Sequence, residues 1–215
     1  MPSSEPLHPL PADFFERDDE ADDGLFYAEP RLVVHIDERA IAAIAGFFEQ
    51  ALPKGGAVLD LMSSWRSHLP DGYAGRVEGL GLNAAEMTEN PHLDGWVVHD
   101  LNAEPHLPFD DEVFDAAVVI VSIQYIARPI EVFREVRRTL KNDAGFHIIY
   151  SNRMFPSKAV AVWKALDDER RADLIAAYFA RAGGWDRPEA RDISPLAGLY
   201  SDPVHVVSAR KRYEP

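Results

Sequence analysis

The chain of 215 residues has no cysteine at all. That excludes a disulfide framework, a thiolate metal site and a thiol nucleophile, and it suits the cytoplasm. Long apolar runs are missing too: the longest, around Ala116 to Ile123, is far short of a membrane span. The first residues, Met1-Pro-Ser-Ser-Glu5, lack the basic start and apolar middle of a secretory signal. Positive charge is scarce, with 22 basic against 36 acidic residues and a net charge of −14. Such a surface repels phosphate backbones, so neither nucleic acid nor a membrane is an expected partner. The eight histidines show no H-x-x-x-H spacing, so no metal is implied.

What is present is an ordinary globular composition, 47% hydrophobic and 27% charged, sized for a single core. The acid excess is concentrated at the start. Residues 1–29 carry nine acids and one arginine, and residues 1–30 hold five prolines. This reads as a solvated, partly disordered acidic arm over 1–30, ahead of one domain over 31–215. The apolar Phe14, Phe15, Leu25, Phe26 and Tyr27 give the arm a means of pinning itself to the body as a cover.

From Asp37, a plausible N-cap, apolar residues recur at helical spacing (Ile41, Ile44, Ala45, Phe48, Leu52) until Pro53 and Gly55-Gly56 close the pattern. Ala57 to Met62 reads as a strand buried on both faces, followed by a loop with a short helix through Pro70. Strands are expected at Arg76–Leu82, Gly95–His99, Val113–Ile123 and Phe146–Ser151. Helices are expected at Ala84–Asn90, Pro129–Leu140, Pro156–Leu166 and Glu169–Ala182. Two short strands, Arg187–Ile193 and Val204–Ser208, close the chain through a loop spanning Pro195 to Pro203. Alternating strands and helices predict an α/β fold: a Rossmann-like, doubly wound, mostly parallel sheet with a closing antiparallel strand pair. Ligands in such sheets lie at the carboxyl ends of the strands.

Several stretches in order resemble class I S-adenosylmethionine-dependent methyltransferases of the small-molecule kind. Leu107-Pro-Phe-Asp-Asp-Glu-Val-Phe-Asp115-Ala-Ala-Val-Val119 is similar to the family's "LPF…FDAV" passage, and Val58-Leu-Asp60-Leu61 to its "VLDLGCGTG". Lys141 to Gly145 keeps only the last glycine of "LKPGG". Two departures stand out. Met62-Ser63-Ser64-Trp65-Arg66 replaces the glycine loop, and Gly81 stands where the family has an acid for the ribose. "LDLMSSW", "GLN" and "SNRMF" resemble an uncharacterised plant and bacterial subgroup with the same changes.

The resemblance implies S-adenosyl-L-methionine as cofactor, held by Asp60, Met62, Ser63, Ser64, Gly81, Leu82, Asn83, Asp100, Leu101, Asn102, Val121 and Gln124. Glu86 is a further candidate for the ribose. Tyr125, His68 and Arg153 are the candidates for handling an acceptor: a phenol or imidazole to orient or deprotonate it, a guanidinium to pair with its charge. Trp65 and Arg66 either serve the ligand in place of the glycines or fill space behind the loop. The expected function is methyl transfer to a small molecule. The alternative is a non-catalytic relative acting as a ligand sensor or partner subunit. Oligomeric state is left open by the sequence.

Overall fold

Seven strands form one sheet in a computed structural model that describes residues 10–195 and 200–213. They are β1 (Ala57–Leu61), β2 (Arg76–Gly81), β3 (Gly95–Val98), β4 (Phe114–Ile120), β5 (Leu140–Tyr150), β6 (Glu189–Asp192) and β7 (His205–Arg210). Their order is β3-β2-β1-β4-β5-β7-β6. The first five are parallel and β7 runs antiparallel between β5 and β6. Strand order reverses between β1 and β4, where Asp60 lies in register with Gly79 on one side and Val118 on the other. Among the described residues six α-helices accompany the sheet: α1 (Asp23–Phe26), α2 (Glu38–Ala51), α3 (Ala84–Thr88), α4 (Pro129–Thr139), α5 (Ala161–Ala165) and α6 (Asp168–Ala182). No helix among the described residues is long and apolar enough to cross a membrane.

Alternate residues of β4 enter different cores. Ala117 and Val119 pack with Phe133 of α4 and Phe179 of α6, while Ala116 and Val118 pack with Ile44 and Phe48 of α2. This two-faced burial is why β4 reads as a continuous apolar run. Helix α2 forms where its spacing predicts: the Asp37 carboxylate caps the Arg39 and Ala40 amides, and Ala40, Ile44 and Phe48 share the buried face.

The departures from expectation have local causes. β4 stops at Ile120 because Val121 turns left-handed at φ 52°. The stretch 62–75 holds no helix: His68 is left-handed at φ 49°, and the Ser67 hydroxyl is drawn down to Asp60. The helix expected from Pro156 shrinks to α5 because the backbone ahead of it is bonded elsewhere, Val160 N to Gln124 O and Ala161 N to Glu16 O. β5 begins at Leu140, earlier than expected, with an irregularity in its pairing with β4 between Phe114 and Ala116.

From residue 10 the acidic arm is pinned to the body while many of its charged side chains stay in solvent. Phe14 and Phe15 rest on the core, Asp19 N donates to Ser157 O at 2.9 Å, and α1 lies over the carboxyl ends of the strands. Leu25 alone of the expected anchors stays outside, 75% exposed. Glu5, His8 and residues 196–199 of the Pro195–Pro203 loop lie outside the described residues.

Candidate functional site

The carboxyl ends of β1, β2, β3 and β4 open into one cavity of about 410 Å³. Asp60, Met62, Ser63, Ser64 and His68 line it from β1 and its loop, Gly81, Leu82 and Asn83 from β2, Asp100, Leu101 and Asn102 from beyond β3, and Val121 and Tyr125 from beyond β4. Arg153 borders it after β5. Gln124 does not line it. Fully buried, its amide donates to Val121 O at 2.9 Å and Arg153 O at 3.3 Å, so it braces two strand ends from behind.

The loop without glycines follows a glycine's path. Met62, at the position of the family's first glycine, is left-handed at φ 56°, a conformation that costs an ordinary residue about 1–2 kcal/mol. The loop then crosses the tip of β2, where Ser63 N donates to Leu80 O at 2.8 Å. A Cβ on Gly81 would stand 2.2 Å from Ser63 O. The expected ribose acid is therefore missing for a steric reason: the loop occupies the space its side chain would need.

Asp60 is 2% exposed, and its Oδ2 accepts from Ser63 Oγ at 2.6 Å and Ser67 Oγ at 2.7 Å. Burial pushes its carboxyl up to about 6, and the two hydroxyls only partly offset that. Its Oδ1 takes no hydrogen bond from the described residues. A native carboxyl titrating near 6 holds a proton between roughly pH 4 and 6 that the unfolded chain has released, so stability falls as pH rises through that window. Asp60→Asn is expected to raise the unfolding free energy by about 2–3 kcal/mol at pH 8 and hardly at all at pH 4. Urea titrations at both pH values check this; an equal effect at both would trace it to packing.

The two asparagines are structural hubs. Asn83 caps α3 through Glu86 N, and its Nδ2 donates to the carbonyls of Tyr27 and Ala28 at 2.8 and 3.2 Å. Asn102 Nδ2 donates to Asp23 Oδ2 and Tyr125 O, both at 2.9 Å, while its Oδ1 accepts Ala127 N. Both amides, expected at the ligand, are thus engaged with the N-terminal segment and the strand ends. Glu86 accepts Arg31 N at 2.7 Å on one oxygen and Ser64 Oγ at 2.5 Å on the other. Asp100 Oδ1 accepts the Asn102 and Ala103 amides, leaving Oδ2 uncommitted.

The candidates for acceptor chemistry are poor proton acceptors. Burial, reinforced by His92, Arg66 and His35, pushes the His68 imidazole down to about 4, so it is neutral at physiological pH. Burial raises the Tyr125 phenol above its ordinary value, and its oxygen accepts Phe155 N at 2.8 Å. Arg153 is held by Asp202 at 2.7 Å, joining the site's rim to the Asp37 cap of α2. Trp65 neither plugs the cavity nor fills core behind the loop: it lines the wall, its indole donates to Val33 O at 2.9 Å, and Arg66 lies over its ring at 4.6 Å.

Sequence reasoning expected a cover pinned by Phe26 and Tyr27 but missed most of the residues that form the roof. Asp23, Tyr27, Arg31, Val33, His35, Phe155 and Lys158 also line the cavity. Lys158 is fully buried, 3.1 Å from Asp23 and 3.2 Å from Asp19, and donates to Ala21 O at 2.7 Å. Asp23 also receives two bonds from Arg17, at 2.7 and 2.9 Å. Beside the arm's aromatic anchors, a usable signal was Lys158, a single cation between Pro156 and the apolar run Ala159 to Trp163.

Residues 74–148 match the family described as a methyltransferase domain. No protein of curated function matches the chain. Among solved structures, the [4+2]-cyclase SpnF aligns with a TM-score of 0.59 at 14% identity, over 80% of this chain and 81% of that one. A methyltransferase from Thermotoga maritima, described as a possible histamine N-methyltransferase, gives 0.55 at 15%, over 81% and 91%. Geranyl diphosphate C-methyltransferase from Streptomyces coelicolor A3(2), solved with S-adenosyl-L-homocysteine, gives 0.52 at 16%, over 79% and 77%. Identities this low carry the fold, and the domain match adds the family resemblance. Together they bear out the likeness to class I S-adenosylmethionine-dependent methyltransferases read from the sequence.

Proposed function

We propose that this chain, with a methyltransferase domain match across residues 74–148 and the class I fold around it, transfers a methyl group from S-adenosylmethionine to a small molecule. The observation carrying the proposal is the meeting of four strand ends in one walled cavity at the point where strand order reverses. Its volume falls in the range of small-ligand sites, and its enclosure suits a small acceptor better than a polymer.

The groups present fit the cofactor. The uncommitted oxygen of Asp100, beside buried Leu101, suits an adenine amine and ring. Glu86 has accepted one hydrogen bond on each oxygen, and a carboxylate retains further acceptor capacity for a ribose diol. Asp60 Oδ1 suits an amino group at the methionine end. When bound, S-adenosylmethionine supplies a methyl already activated on a sulfonium.

The protein's share is then alignment and exclusion of water. Ile120 and Val121 provide an apolar floor, and the roof of Tyr27, Arg31 and His35 closes the other side. Neutral His68 and protonated Tyr125 orient an acceptor but do not strip a proton from it. The acceptor therefore brings its own lone pair. Gly81 without a side chain keeps the β1 loop down on β2, which fixes Asp60 at the wall. The cytoplasm is the compartment that a cysteine-free chain suits.

A second reading, a ligand sensor on the same fold, draws on the roof: its bonds to Asn83, Asn102 and Lys158 would make it responsive to whatever lies beneath. Titration calorimetry with S-adenosylmethionine and S-adenosylhomocysteine, paired with tryptophan fluorescence of wild type and Trp65→Phe, tests both. Heat in wild type and a fluorescence change that Trp65→Phe removes are expected. No heat and no change would end the cofactor reading. Binding without release of S-adenosylhomocysteine on incubation with candidate acceptors would favour the sensor.

A further inference from the structure

The cavity wall carries charges of both signs, and nearly all are answered within the protein. Asp23 is met by Arg17, Lys158 and Asn102, Lys158 by Asp19 and Asp23, and Arg153 by Asp202. Asp60, Glu86 and Asp100 are each hydrogen-bonded by hydroxyls or amides. Arg31 is different. It forms no ion pair among the described residues, in a chain whose net charge is −14. Its backbone N is fixed to Glu86 on the β2 side, and its guanidinium reaches across to Phe155, beyond β5. There it sits 4.6 Å from the Phe26 ring centre, 5.8 Å from Tyr27 and 5.6 Å from Phe155. One nitrogen, Nη2, donates to Phe26 O at 2.8 Å, while Nη1 is shielded from solvent with no hydrogen-bond partner.

A shielded cationic donor without an acceptor is unfavourable unless something answers it. The three rings hold the guanidinium plane in place, so its fork is set before a ligand arrives. A guanidinium fork matches a carboxylate or phosphate in two parallel bonds. The hydroxyl of Ser122, at the tip of β4 on the same cavity, is also buried without a partner. The acids Asp60, Glu86 and Asp100 come from the β1, β2 and β3 side, whereas the Arg31 guanidinium lies toward β5.

We propose that the methyl acceptor is an anion, a small molecule with an apolar body and a carboxylate or phosphate docked on Arg31 between Phe26, Tyr27 and Phe155. The assignment rests on the methyltransferase reading for the word acceptor, but the anion subsite itself does not. The charge of the docked group answers the Nη1 donor, which is closed to solvent here, so seating the anion shifts the rings around it.

The test uses benzoate, phenyl phosphate and the neutral benzyl alcohol as probes, measured by calorimetry on the full chain with and without saturating S-adenosylhomocysteine. Benzoate or phenyl phosphate is expected to bind wild type at least about tenfold more tightly than benzyl alcohol, in the presence of S-adenosylhomocysteine as well as its absence. Arg31→Met is expected to abolish the preference, and Arg31→Lys to keep part of it, with circular dichroism confirming that each variant is folded. No preference in wild type, or an unchanged one in Arg31→Met, overturns the proposal. If S-adenosylhomocysteine displaces both anions and itself weakens tenfold in Arg31→Met, Arg31 serves the cofactor's own carboxylate and the acceptor assignment fails. If S-adenosylhomocysteine does not bind wild type at all, the methyltransferase reading fails, while the anion preference still decides the subsite.

Discussion

Asp23→Ala is expected to release the N-terminal roof while leaving the sheet folded. The substitution takes one of two carboxylates from Lys158, which has no exposure and keeps Asp19, and from Arg17, whose side chain is 8% exposed and keeps Glu20. Breaking a buried pair by removing one partner costs about 3–5 kcal/mol. Here the chain can escape the penalty by lifting residues 10–31 and hydrating both cations. Local opening should therefore precede global unfolding. Hydrogen exchange should accelerate over residues 14–31 and stay slow in β1 and β4, and trypsin should cleave after Arg17. Unchanged exchange in the roof would show that Asp23 does not hold it. Acid should act in the same direction. Burial opposes ionisation of Asp23, but bonds from Asn102, Arg17 and Lys158 outweigh it and hold the carboxyl below its ordinary value. The latch is then at full strength above about pH 4 and weakens as pH falls through the lower native value.

The second large effect is expected at Gly81. An alanine Cβ there would stand 2.2 Å from Ser63 O, a backbone atom that cannot rotate aside. The loop over β2 must move, at about 1–3 kcal/mol or more. Because Ser63 also bonds Asp60, the shift carries to the cavity wall, and S-adenosylhomocysteine affinity should fall with stability. Gly79, two residues earlier, is the control. Its added Cβ would meet Leu93 Cδ1 at 2.6 Å, the end of a flexible side chain. Gly79→Ala should be milder in thermal melts and should spare binding in calorimetry. Equal losses in the two variants would show that the loop crossing has no special weight.

These two sites also mark what the sequence could and could not disclose. The strands were legible because apolar runs such as Val58–Leu61 and Ala116–Ile120 are bounded by turns, and the helix before them because Ile44, Phe48 and Leu52 recur at helical spacing. The loop's path was not. No pattern rule marks Met62 or the β-branched Val121 as left-handed, yet both are, and both line the cavity. The family match itself begins at residue 74, after that loop. The polar part of the roof was hidden by charge. A run of acids reads as solvated when the cation that answers it, Lys158, lies 139 positions from Asp19. The commitment of Asn83 and Asn102 to the roof depends on contacts that span the fold.

That separation bears on how the molecule is made. Residues 17–31 leave the ribosome before the groups that seat them, Asn83, Asn102 and Lys158. Contacts this far apart in the chain form slowly. The parallel strands can pair while the early segment waits, so the chamber acquires its ceiling only near the end of maturation. Nascent chains halted before Lys158 should carry an open trough in place of an enclosed one.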